Sequence, residues 1–330
     1  MPILNTSAFR PFPGTANGHL QTLIPACLPQ RRLRNSQPLY HREQLNLKDG
    51  DFVDLDWLRG GNRRTLILCH GLEGSSGSTY MRGLALAATA HAFDALSWNY
   101  RGCGGTPNRH ARSYHSGATE DLREVIEHVV AEGYEKIVLV GFSLGGNLIL
   151  KYLGENPQSV PTVLKAAVAV SPPCDLRACA YLLTRWNRKP YLEQFMRSLR
   201  KKMFEKARRF PQQIAIDELL KVRDFIAFDN RFTAPLHGFA DAEEYWAKAS
   251  SKQFIAAINV PTLILTAEDD PLLTPSCIPE AAASASEAVH LELTPSGGHV
   301  GFVQRAGRHT RRSYVEQRVF DFLQDRQLAP

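Results

Sequence analysis

Six short stretches of this chain are almost unbroken in their apolar character: residues 64–69 (RTLILC), 94–99 (DALSWN), 136–140 (KIVLV), 166–170 (AAVAV), 262–266 (TLILT) and 289–293 (VHLEL). Runs of this length suit strands covered on both faces, because a strand with one wet face alternates polar and apolar residues. Between them, apolar positions recur at helical spacing over 78–91, 117–131 and 144–154. After the last run the same spacing returns over 311–326, where Tyr314, Val315, Val319, Phe322 and Leu323 share one face. Alternation of strand and helix predicts a mainly parallel α/β sheet flanked by helices. It breaks once, over 172–255, where long helical patterns rich in Arg, Phe, Tyr and Trp carry no convincing strand. That stretch is too long for a loop and predicts an inserted helical cap. The first 45 residues mix Pro, Gly, Asn and Arg without a period and are expected to wrap the surface before the core begins. The expected organisation is a wrapping segment (1–45), a core in two parts (46–171 and 256–330) and a cap (172–255).

Composition narrows the class. With 330 residues, 44% hydrophobic and 22% charged, the chain can bury a large core. Its 23 Gly and 20 Pro show no period, which excludes collagen-like and low-complexity readings. No apolar run approaches the roughly 18 residues of a membrane helix, and the start MPILNTSAFRPFPG lacks the basic-then-apolar form of a signal peptide. A soluble, cytoplasmic protein is the expectation. Six cysteines (Cys27, Cys69, Cys103, Cys174, Cys179 and Cys277) are scattered without a Cys-x-x-Cys, so buried reduced thiols are expected rather than zinc or a disulfide framework. The net charge of +6 is too mild to argue for nucleic acid, but its distribution is uneven. From Arg185 to Arg209 ten basic residues face only Glu193 and Glu205, so this segment is +8 and the remainder −2. Trp186, Tyr191, Phe195, Met196, Leu199, Met203 and Phe204 are interleaved with those charges. Such a helix can be a merely solvated face, or can draw in anionic acyl substrates or an anionic lipid surface.

The chemistry-bearing constellation begins where Lys136-Ile-Val-Leu-Val runs into Gly141-Phe-Ser143-Leu-Gly145, directly between a predicted strand and a predicted helix. A nucleophile elbow needs glycine on both sides, because the serine backbone is strained and strand and helix pack too closely for side chains. The turn also aims the helix N-terminus, with the Leu144 N–H, at charge developing on an attacked carbonyl. A serine hydroxyl needs a base, and the base needs an orienting carboxylate; both follow in order. Glu268-Asp269-Asp270-Pro271 places acids just after a strand, and Ser296-Gly-Gly-His299 places a histidine on a Gly-rich loop after the last strand. Either Asp269 or Asp270 could serve on residue type alone. Upstream, Cys69-His70-Gly71-Leu72-Glu73-Gly74 can present a second oxyanion donor, the Leu72 N–H. That loop lacks Gly-Lys-Ser/Thr and Gly-x-Gly-x-x-Gly spacing, which disfavours a nucleotide site. His70 is expected to be structural, since the base in this layout follows the acid.

Taken together, these pieces resemble the YheT-like branch of the α/β-hydrolase superfamily, which takes in bacterial predicted esterases, fungal medium-chain esterase/acyltransferases and mammalian abhydrolase-domain phospholipases. The matching motifs span nearly the whole chain: His19-Leu-Gln-Thr22, His70-Gly-Leu-Glu-Gly-Ser75, Asn99-Tyr-Arg-Gly-Cys-Gly-Gly105, Tyr114-His115, Gly141-Phe-Ser-Leu-Gly-Gly-Asn147, Phe228-Asp-Asn with Ala234-Pro-Leu-His-Gly-Phe239, Asp269-Asp-Pro271 and Gly297-Gly-His299-Val-Gly-Phe302. The resemblance implies an α/β-hydrolase fold and a catalytic triad of Ser143, Asp270 and His299. It implies a serine carboxylesterase cleaving short- to medium-chain acyl esters or lipids. Two alternatives stand beside it: an acyltransferase passing the acyl group to an alcohol, and a non-catalytic ligand-binding protein of the same fold. No cofactor, metal or nucleic-acid partner is expected. One departure is visible, Asn17-Gly18-His19 where the family carries Asn-Pro-His; a glycine there is expected to loosen a turn without touching a catalytic residue. His19, His237 and the loop Asn99 to Gly105 are expected to be structural, and Tyr114 and His115 to line the pocket or pack in the core.

Overall fold

The computed structural model describes residues 3–4, 7–27, 39–305 and 311–329. Among them, nine strands form the main sheet: β1 (Ile3–Leu4), β2 (His41–Asn46), β3 (Phe52–Leu58), β4 (Arg64–Cys69), β5 (Asp94–Asn99), β6 (Lys136–Phe142), β7 (Leu164–Val170), β8 (Thr262–Ala267) and β9 (Val289–Thr294). They lie in the order β1-β9-β8-β7-β6-β4-β5-β3-β2. Neighbours from β1 across to β5 are parallel, and β3 and β2 complete the far edge antiparallel. The helices that matter below are α1 (Gly18–Cys27), α2 (Thr79–Ala90), α3 (Thr119–Ala131), α4 (Leu144–Glu155), α5 (Leu176–Leu183), α6 (Lys189–Arg209), α7 (Ala242–Ala249) and α8 (Tyr314–Gln324).

The unbroken apolar runs follow from burial on both faces. In β6, Ile137 and Leu139 point into a core that includes Leu122, Val125 and Ile126 of α3 and Leu148 and Ile149 of α4. Val138, Val140 and Phe142 point the other way, toward Met81 and Leu84 of α2 and Val319 and Phe322 of α8. Period-two alternation is therefore still present, but both destinations are dry. The sheet's antiparallel edge was not read from the sequence. The boundary expected at residue 45 falls inside β2, whose HREQLN is polar because it is an exposed edge strand. β3 (FVDLDWL) interrupts its apolar run with Asp54 and Asp56, and those acids are buried because Arg42 of β2 pairs with both. The helix expected over 311–326 begins only at Tyr314, since Arg311–Ser313 pair antiparallel with Val303–Arg305.

Between β7 and β8 the described residues form helices and no strand. This region has an apolar cluster of its own, in which Met196 and Met203 of α6 meet Ile214, Leu219 and Phe228. Two buried polar groups fasten it to the rest of the core. Lys206 Nζ donates to Asn108 Oδ1 at 2.7 Å and to the carbonyls of His110 and Arg112 at 2.7 and 3.1 Å, while burial pulls its pKa down to about 8. Asn147 of α4 donates to the carbonyls of Ser116 and Ala249, both at 2.9 Å, and accepts from the Ser251 N–H.

Candidate active site

β6 ends by delivering Ser143 in a left-handed conformation, φ 51° and ψ −119°, immediately before α4. The flanking glycines are steric necessities. A Cβ on Gly141 would lie 2.3 Å from the Gly145 carbonyl oxygen, and one on Gly145 would lie 2.3 Å from that of Cys69. A strained residue persists only where its surroundings over-determine it, and here the Ser143 N–H is held by the Val170 carbonyl at 2.8 Å.

Ser143 Oγ lies 2.8 Å from His299 Nε2, and His299 Nδ1 lies 2.8 Å from Asp270 Oδ2. An ionised carboxylate only accepts, so Nδ1 carries the ring proton and Nε2 is left to accept from the serine hydroxyl. The other oxygen of Asp270 accepts the Leu272 N–H at 2.8 Å, which fixes the carboxylate plane. Asp269 points elsewhere: its Oδ1 accepts the N–H groups of Gly297 and Gly298 at 3.0 and 2.9 Å. The neighbouring acids thus divide the work, one facing the imidazole and the other holding the loop that carries it.

That loop is strained as well, with Gly298, Val300 and Phe302 all at positive φ. Its partner is α1, far upstream in sequence. Thr22 Oγ1 accepts the His299 N–H at 2.9 Å. Gln21, fully buried, mimics a strand by donating to the Val303 carbonyl at 3.1 Å and accepting the Val303 N–H at 2.6 Å. The contact is too close for side chains. A Cβ on Gly298 would lie 2.4 Å from the Gly18 carbonyl oxygen, and one on Gly18 would lie 1.8 Å from that of Asp269. Gly18, expected to loosen a turn without touching a catalytic residue, packs on the backbone of Asp269, next to Asp270, and its missing side chain is what lets α1 approach.

Leu72 and Leu144, whose N–H groups were expected as oxyanion donors, line one cavity together with Ser143 and His299. Leu144 is the first residue of α4, so its N–H has no intrahelical acceptor. The Leu72 loop lies directly against the serine, since a Cβ on Gly71 would be 3.2 Å from Ser143 Cβ. Next to it, Glu73 adopts φ 56°. Its carboxylate accepts from Tyr114 Oη at 2.7 Å, from Lys202 Nζ of α6 at 2.9 Å and from Ser198 Oγ. The cavity runs away from the serine between apolar walls, Leu176, Ala180 and Leu183 of α5 and Phe195, Leu199 and Met203 of α6 among them. Asp229 lies in its wall, held by Thr233 Oγ1 at 2.6 Å and Trp246 Nε1 at 2.8 Å, with burial raising its pKa to about 6.

The remaining motif residues lie around this centre. His70 is fully buried; Nδ1 donates to the Gly71 carbonyl at 2.7 Å, Nε2 accepts the Tyr100 N–H at 3.3 Å, and burial holds its pKa down to about 3. Arg101 is buried among Asp49, Asp51 and Asp121, and Asn99 links Asp56 to the Ser76 N–H. His19 meets Tyr191 Oη at 2.9 Å, joining α1 to α6, and His237 sits between the Thr233 and Ser113 carbonyls. Tyr114 and His115 line the cavity. Cys69, Cys103, Cys174, Cys179 and Cys277 are buried free thiols; the Cys27 side chain lies outside the described residues. Sequence reasoning assigned no task to Gln21, Thr22, Glu73, Asn147 or Asp229. Their only signal was membership of the motifs quoted for the resemblance.

The model of the alpha/beta hydrolase fold family matches residues 64–306. The chain is 36% identical to the protein named "Putative esterase YheT" from Escherichia coli (strain K12), over 97% of this chain and 94% of that one. It is 30% identical to "Phospholipase ABHD3" of Mus musculus, over 85% of this chain and 70% of that one. Among solved structures, the Pyrococcus furiosus esterase Pf2001 superposes with a TM-score of 0.57 over 87% of this chain and 90% of that chain, at 18% identity, which speaks for the fold alone. The chain belongs to the α/β-hydrolase family and, within it, to the YheT-like branch.

Proposed function

We propose that this protein hydrolyses carboxylic esters with an apolar acyl group through an acyl-enzyme on Ser143. The observation that carries the reading is the chain of two 2.8 Å contacts, Ser143 to His299 to Asp270, at the wall of an apolar cavity. In the proposed reaction His299 Nε2 takes the hydroxyl proton as Ser143 Oγ attacks the carbonyl, and returns it to the leaving alcohol. Asp270 fixes the tautomer and stabilises the imidazolium. The N–H groups of Leu72 and Leu144 receive the developing oxyanion. Water, activated by the same histidine, then releases the acid. The names of the relatives, esterase and phospholipase, support ester cleavage, and the apolar walls favour acyl chains or lipids.

On the outside of the same region, Trp186 is 87% exposed and Lys189, Arg197, Lys201 and Arg208 are exposed along α6. We assign this face to contact with anionic lipid. The decisive experiment for the chemistry is a chain-length series of chromogenic esters with and without Ser143→Ala, followed by fluorophosphonate labelling. Ser143→Ala is expected to lose turnover and label while keeping the wild-type circular dichroism. Retained turnover would overturn the assignment, and ester products appearing with added alcohol would make the protein an acyltransferase on the same residues.

A further inference from the structure

Two cysteines 98 residues apart meet beside the cavity, with Cys179 Sγ 3.3 Å from Cys277 Sγ. Cys179 lies on α5 and lines the cavity wall. Cys277 ends the short helical turn Pro275–Cys277, on the same loop as Asp270. Both residues are buried, at 7% and 2% exposure; Cys179 lines the cavity, and Cys277 lies directly behind it. Their surroundings are built for sulfur rather than merely apolar. The Thr274 hydroxyl lies 3.6 Å from Cys277 Sγ, and the Asp175 carbonyl oxygen, at the start of α5, lies 3.7 Å from it. The Cys179 thiol and then the Thr274 hydroxyl hold Cys277 below the ordinary thiol value, while Cys179 is pushed up. One member of the pair is therefore the readier thiolate, and thiolates are the species that oxidise. A disulfide bond is about 2.05 Å long, so each sulfur has to move only about 0.6 Å to form one.

We propose that Cys179 and Cys277 are a redox-active dithiol which a hydroperoxide converts to a disulfide, stapling α5 to the loop that carries Asp270. The Cys277 thiolate attacks the peroxide oxygen and becomes a sulfenic acid; the O–O bond breaks and the leaving oxygen departs as water or alcohol. The Cys179 sulfur then displaces the hydroxyl from the Cys277 sulfur, and its proton leaves with that hydroxyl as water. In sum, two thiols are oxidised to one disulfide and one peroxide is reduced. The bond joins two walls of one cavity, so it restrains α5, which supplies Leu176, Ala180 and Leu183 to the space proposed for the acyl chain. The cross-link itself stands apart from the ester-hydrolase reading; its effect on turnover rests on it.

The test treats the whole protein with hydrogen peroxide, quenches with an alkylating reagent and reads mass and a non-reducing peptide map. Expected are a loss of two hydrogens, a single cross-linked pair containing Cys179 and Cys277, reversal by dithiothreitol, and a higher urea midpoint for the oxidised form. Cys277→Ser should abolish the cross-link and Cys174→Ser should leave it. Alkylation of both Cys179 and Cys277 after peroxide, or a bond to Cys174 instead, would overturn the proposal. With a long-chain ester, turnover should fall several-fold in the oxidised wild type and be unchanged by peroxide in Cys277→Ser. Equal turnover of the oxidised and reduced wild type would overturn the restraint on the cavity. Absence of turnover in both forms would instead count against the ester-hydrolase reading, with the mass readout still deciding the cross-link.

Discussion

Asp269 and Asp270 share a loop and a chemistry yet face opposite ways, and single substitutions should separate them. Asp270→Asn would leave His299 Nδ1 facing an amide, favour the wrong tautomer and lower kcat by about 10⁴-fold. Asp269→Ala would orphan the N–H groups of Gly297 and Gly298 and cost about 2 kcal/mol of stability, with a smaller loss of turnover. Urea unfolding together with kcat on the same ester checks both, and a greater loss of turnover in Asp269→Ala would exchange their assignments. Glu73→Gln would leave the partly exposed Lys202 without its countercharge, destabilising the fold by about 1 kcal/mol. It would also loosen the strained backbone beside Leu72. A lowered melting temperature with a lowered kcat is expected, and an unchanged kcat would detach Glu73 from the oxyanion loop. The elbow around Ser143 could be read from sequence because its demands are local: two glycines, a strand before, a helix after. The choice between Asp269 and Asp270 could not, since only side-chain direction separates them and direction is set by a loop 28 residues downstream.

The same division between local and distant causes holds for whole elements. Helix α6 is legible as basic and amphipathic, yet the sequence does not say which of its charges turn inward. Lys202 and Lys206 are spent on Glu73 and on the Asn108 loop, and Arg200 donates to the Val222 carbonyl. Only the outer row is available to a partner. Replacing Arg197, Lys201 and Arg208 by Gln should therefore weaken cosedimentation with anionic vesicles by about 1 kcal/mol per charge at low salt. The turnover of a soluble short-chain ester should not change. Unaltered vesicle binding in the triple variant would leave that face merely solvated. Strands β2 and β3 escaped notice for a related reason. β2 read alone is too polar for a strand, and the acids of β3, which alternate with Val53, Leu55 and Trp57, make sense in a buried strand only beside the edge arginine.

At the scale of the molecule, buried ionisable groups tie stability to pH in opposite senses. His70 is held neutral, with a folded pKa of about 3 against an ordinary value of 6.5. Its contribution is complete above pH 6.5 and is lost as pH falls toward 3, a matter of a few kcal/mol. Asp229 acts the other way: its pKa of about 6 in the fold against 3.8 means that ionising it, as pH rises through that window, costs stability. Urea midpoints from pH 3 to 8 should flatten on the acid side in His70→Asn and lose a shallow decline between pH 4 and 6 in Asp229→Asn. Parallel curves for variant and wild type would contradict these assignments. The element that most needs the whole molecule is α1. Thr22, Gln21 and the bare backbone of Gly18 grip the His299 loop from the other end of the sequence. The reactive centre is in this sense a two-fragment assembly, with the division lying between the first 27 residues and the rest. A chain lacking that fragment would lose β1 from the edge of the sheet, keep the other eight strands and lose its imidazole's position. The fragment added back as a separate peptide should restore turnover in proportion to its occupancy, which would make α1 a titratable subunit of the enzyme's own chemistry.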